Sequence, residues 1–161
     1  MNAHKPYFQF RLYCIVSLFV LLNLAGHAMA QGKAIAGEVL GILAKEEAGK
    51  IDPSLAKIPA LKKPPFNSFL SMQVLSKPSI KISKGGEQTV KLPNGRVLRL
   101  KVEGIKPGGK YQVSASLKGP GDKKYAMLLR VMASPGDPFF VAGQSHQGGT
   151  LIIGVTLGAP K

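Results

Sequence analysis

The chain has 161 residues, one cysteine, no tryptophan, and 22 Lys and Arg against 8 Asp and Glu, for a net charge of +14. That length leaves room for one folded domain beyond a targeting segment. The single cysteine excludes a disulfide framework and a cysteine-built metal site, and the lack of tryptophan weakens a sugar-stacking platform.

The N-terminus reads as a cleavable signal. Lys5 and Arg11 precede the apolar run from Cys14 to Ala25, which is too short to span a bilayer, and Ala28-Met29-Ala30 supplies the small residues that a signal peptidase requires. Cleavage is expected after Ala30. The mature chain would then begin at Gln31, hold 131 residues and keep 20 basic residues against 8 acidic ones, a net of +12. Cys14 does not fit a lipidation site: Arg11-Leu12-Tyr13 before it are not small, and the apolar run follows it. The expected location is therefore periplasmic or secreted, with no integral membrane segment after cleavage. Export argues against nucleic acid as the partner of so basic a chain. The polyanions outside the cytoplasm are lipopolysaccharide, anionic lipid, acidic glycans and acidic protein faces.

Residues 34–48, AIAGEVLGILAKEEA, place Ile35, Val39, Ile42 and Leu43 at i, i+4, i+7 and i+8. That spacing predicts an amphipathic helix with one apolar stripe. Gly37 and Gly41 would weaken it by about 1 kcal/mol each relative to alanine, and Gly49 would stop it. Such a helix needs a surface to lie on, either its own domain or a partner. Residues 50–65, rich in proline, read as a semi-rigid arm, with a short helix start at Asp52-Pro53.

From Phe66 the period changes to two. Ile80 and Ile82, Val90 and Leu92, Leu98 to Val102, Tyr111 to Leu117, Tyr125 to Val131, and Leu151 to Leu157 each keep an apolar residue at every second position. This is the signature of half-buried strands. Gly- and Pro-rich turns separate them, the sharpest being Pro93-Asn94-Gly95. The run 127–132, MLLRVM, is apolar on both faces apart from Arg130, which predicts a central or covered strand, with the N-terminal helix as the expected cover.

The stretch GQSHQGGT at 143–150 resembles a phosphate-binding loop with glycine in place of its lysine. The residues after it, LIIGVTL, are strand formers, so no helix N-terminus would face an anion. It reads as a hairpin loop. His146 is the one histidine of the mature chain, and Ser145 beside it would point to the opposite face, so no catalytic set is expected. Glu87 and Glu103 read as surface ion-pairing residues. Tyr111 and Tyr125 read as core-facing. Phe66 and Phe69, and Phe139 and Phe140, sit beside prolines and would plug an open end of the fold.

The stretches PFNSF, LPNGR and SPGDPFFVAGQSHQGGTLIIGV resemble uncharacterised small exported bacterial β-domain proteins without a named family, over roughly residues 31–158. The resemblance implies an exported all-β domain and no particular activity.

The expected architecture is mainly β: an antiparallel β-sandwich, Ig-like or barrel-like, over 66–161, with an N-terminal amphipathic helix and Pro-rich connector over 31–65 and a signal peptide over 1–30. The expected role is a non-enzymatic interaction or assembly module of a bacterial cell-envelope complex. It would bind an envelope protein through Ile35, Val39, Ile42 and Leu43, without cofactor or metal. The alternative is a domain that binds envelope polyanions (lipopolysaccharide, anionic lipid or acidic glycan) through Lys81, Lys91, Arg96, Arg99, Lys101, Lys123 and Lys124.

Overall fold

A computed structural model describes residues 34–158; the expected signal peptide lies outside them. The strands are β1 (Ile35–Lys45), β2 (Ser71–Ser76), β3 (Ser79–Ile82), β4 (Glu87–Lys91), β5 (Val97–Ile105), β6 (Tyr111–Lys118), β7 (Ala126–Ala133), β8 (Phe139–His146) and β9 (Gly149–Leu157), with a short α-helix, α1 (Pro53–Ala56), and two 3-10 turns, Pro59–Lys62 and Phe66–Ser68. Two antiparallel sheets result. The first runs β2-β1-β9-β8, with β3 also paired to β1; the second is the meander β4-β5-β6-β7. Residues from both sheets, among them Val39, Ile82, Leu100, Val113 and Ile153, share one apolar core. The alternation read from Ile80 to Val102, from Val113 to Leu117 and from Leu151 to Leu157 is the face that enters this core.

The helix expected over 34–48 is a strand. β1 pairs with β9 along one side and with β3 and then β2 along the other, so it is central in its sheet. A central strand covered on both faces carries apolar residues on both, and such a run imitates a helical stripe. Ile35 and Val39 enter the core between the sheets. Ile42 points the other way, into a second core. Gly37 is there for room: a Cβ on it would stand 2.5 Å from the Thr156 carbonyl oxygen and 2.7 Å from Leu157 Cδ2.

The second core explains the residues read as an arm. Segment 50–70 lies over the outer face of the first sheet. Leu55 and Leu61 pack there with Ile42, Ala44, Met72 and Ile152. Asp52 caps α1: its carboxylate accepts the Ser54 hydroxyl at 2.6 Å and the Ser54 N–H at 2.9 Å, and these bonds, the hydroxyl first, lower its pKa. The aromatic pairs belong to this layer more than to an open end. Phe139 packs toward the core between the sheets. Phe140 turns outward over Gly154, which has no side chain to block it, and meets Phe66 edge-on at 5.8 Å between ring centroids. Segment 34–65 is thus part of the β domain and not an arm leading to it.

The turns follow their chemistry. The Asn94-Gly95 hairpin closes with Leu92 N–H donating to the Arg96 carbonyl at 2.8 Å, and Gly95 alone takes positive φ, 78°. In GQSHQGGT, His146 pairs with Gly149, so the reversal is the two-residue Gln147-Gly148. Both have positive φ, 45° and 72°, as a type I′ turn requires.

The run MLLRVM departs from its expectation. β7 pairs with β6 alone among the described residues, so it is an edge strand. A bulge sets Ala115 opposite Leu129 and Ser116 opposite Met127. The extra residue, Leu128, reverses the phase of everything before it. Leu129 and Val131 face the core, while Met127, opposite the outward Ser116, faces out.

Candidate functional site

The two sheets differ on their outer faces. The first is covered by segment 50–70. Among the described residues, nothing packs as a layer over the second. The register of β4 to β7 orders its outward side chains into rows. One row is Lys91, Val97 and Lys118. The next is Thr89, Arg99, Ser116 and Met127. A third is Glu87, Lys101, Ser114 and Arg130. Beyond it lie Glu103, Gln112 and Met132. Small residues on β6 form the floor: Ser114 and Ser116 are each only 5% exposed, because the longer side chains of β5 and β7 rise on either side.

Five cations and two carboxylates therefore share this face. Tyr125 organises one end: the Arg99 guanidinium lies 4.2 Å from its ring centroid and Lys118 Nζ 5.3 Å. Cation–π contact holds both charges over one ring. This placement corrects the core-facing reading of Tyr125; the bulge at Leu128 is the physical reason. Tyr111 does pack against the core. Glu103 organises the other end. It accepts Arg130 Nη2 at 3.0 Å and Gln112 Nε2 at 2.9 Å, which lays Arg130 along the sheet. Glu87 reaches Arg99 at only 4.0 Å between exposed groups, a pair worth little. Among the described residues, no ion pair involves Lys91, Lys101 or Lys118.

The sequence-derived residues divide accordingly. Lys91, Arg99 and Lys101 stand on this face. Arg96 is in the β4–β5 turn, and Lys123 and Lys124 are in the β6–β7 loop. The two loops abut: a Cβ on Gly95 would lie 3.7 Å from Pro120 Cγ. Lys81 does not join them, because β3 belongs to the first sheet. Ile35, Val39, Ile42 and Leu43 are 8% exposed or less within the chain itself, so they form no docking face. Lys118, Arg130 and Tyr125 were missed as members. The signal for the first two was present, since each takes the polar phase of an alternating run.

Chemically, the face offers fixed positive charge, hydroxyls and soft apolar methionines. His146 sits at the end of the β8 hairpin. Asp122 is engaged locally, accepting the Gly119 N–H at 2.8 Å. Among the described residues, no group of three or more His, Cys, Asp or Glu is gathered as a metal site, and no helix is long and apolar enough to cross a membrane. No protein-family model matches the chain, and neither a curated protein nor a solved structure matches it.

Proposed function

We propose that the chain is an exported, non-enzymatic interaction module of the bacterial cell envelope, built as a β-sandwich, and that it docks an acidic protein partner on the outer face of its second sheet. The observation that carries this reading is the contrast between the two faces: one sheet is sealed by the chain's own segment 50–70, the other presents Lys91, Arg99, Lys101, Lys118 and Arg130 uncovered. Clustered cations on an open surface raise the encounter rate with an acidic partner and select against a basic one. A four-strand meander facing a sheet made from the first three and last two described strands supports a sandwich over a closed barrel. The export expectation rests on the signal-like N-terminus and the resemblance to small exported β domains.

A second reading has its own support. Arg96, Lys123 and Lys124 stand in two loops that approach each other at Gly95 and Pro120, at the Tyr125 end, and cations so placed suit phosphate or carboxylate headgroups of lipopolysaccharide, anionic lipid or glycan. One experiment separates the two. Purified protein is measured against polyglutamate and against anionic vesicles across a salt series. The protein reading expects polyglutamate binding that weakens steeply with salt and drops at least tenfold in the Arg99→Glu, Lys101→Glu double variant. Vesicle binding lost in Lys123→Glu, Lys124→Glu, with polyglutamate ignored, would replace it with the second reading. Salt-independent behaviour would remove both.

A further inference from the structure

We infer that β7 is a docking edge, on which an extended acidic segment of a partner protein adds as a new strand beside the four of the second sheet. This rests on the reading of the second sheet as the contact face and names how the partner is held. β7 pairs with β6 alone among the described residues, so its far side presents unpaired N–H and C=O groups, a template for another chain. Natural edges are usually guarded by lysine, proline, a bulge or a covering segment. AMLLRVMA contains neither lysine nor proline. Its one charge, Arg130, is drawn back across β6 to Glu103.

Of the other outer strands, β4 carries Glu87 and Lys91 within its five residues. β8 is broken by the bulge between Val141 and Gln144, with Gly143 at φ 110°. β2 is bridged by Ile51 at Met72. β7 has a bulge as well, at Leu128, which leaves Leu129–Ala133 as its straight part. Met127 lies just before that part and Met132 within it, 58% and 45% exposed, and methionine adapts to varied apolar partners.

Charge decides the occupant. The row Glu87, Lys101, Ser114 and Arg130 runs across the sheet to this edge. A second copy paired through β7 would set two basic faces side by side and bring Arg130 near its own counterpart. An acidic strand instead sets a carboxylate beside Arg130, which Glu103 engages through Nη2 alone and which stays 59% exposed, and its alternate apolar side chains meet Leu129 and Val131 on the core side.

The test uses purified full-length mature chain and three synthetic peptides: alternating Glu-Val, the same peptide N-methylated at alternate residues, and alternating Lys-Val. Amide hydrogen exchange is followed at residues 129–133. Slowed exchange there with Glu-Val, binding at least tenfold weaker after N-methylation, and none with Lys-Val are expected. Glu-Val binding that leaves exchange at 129–133 unchanged, yet is lost in the Arg99→Glu, Lys101→Glu variant, would overturn the edge while keeping the basic face. Equal protection by Lys-Val would overturn the acidic occupant. Protection at 129–133 that grows with protein concentration and without peptide would put a second copy there instead. Absence of any Glu-Val binding would overturn both the edge and the face.

Discussion

Gly37 shows how the meaning of one residue depends on its element. In a helix, Gly37→Ala would stabilise the chain by about 1 kcal/mol. In β1 the new methyl would meet the Thr156 carbonyl oxygen and Leu157, and overpacking of that kind costs about 1–3 kcal/mol. The two readings thus predict opposite signs. We expect the urea midpoint of Gly37→Ala to fall; a rise would return residues 34–48 to a helix. The glycine was visible in the sequence, but its cause was not, since that cause is the backbone of β9, more than a hundred residues away in the chain. Gln147 is similar. GQSHQGGT could be read as a hairpin from the strand formers after it, while the placement of the reversal at Gln147-Gly148 follows from cross-strand pairing.

At the level of elements, the periodicity of β3 to β6 was legible because each buries one face and carries polar residues on the other, and that of β9 because Leu151, Ile153, Val155 and Leu157 keep the period although Ile152 on its second face is buried as well. Two elements were misread for physical reasons. β1 is covered on both faces, so its apolar residues lose the period of two. In β7, a single bulge reverses the phase, so Tyr125 and Met127 fall on the outer face despite an unbroken alternation. Segment 50–70 was hardest to read: four prolines suggest an extended arm, and only contact with the first sheet turns Leu55 and Leu61 into core residues. Leu55 is 1% exposed, so Leu55→Ala should cost about 2–5 kcal/mol and loosen this cover first. Limited trypsin digestion should then cut after Lys57 and Lys62 sooner than in the parent chain while the second sheet stays intact. Uniform digestion of the whole variant, with no early cut in 50–70, would mean that the layer is not a separate packing unit.

For the whole molecule, the sequence offered scattered positive charge and no way to place it. The register of the second sheet gathers part of that charge on one face, the turns gather Arg96, Lys123 and Lys124 at one end, and β3 sets Lys81 apart. The apolar stripe first taken for a docking helix lies in the interior, so any partner must use what remains outside. The resulting asymmetry, one face self-covered and the other open and basic, is the central claim. It is tested most directly by comparing lysine acetylation rates in purified protein and in intact cells. Lys91 and Lys101 should be protected in cells relative to the purified chain, while Lys57 and Lys62 on the covering segment react alike in both. Equal reactivity of all four in both settings, or protection confined to Lys57 and Lys62, would contradict it.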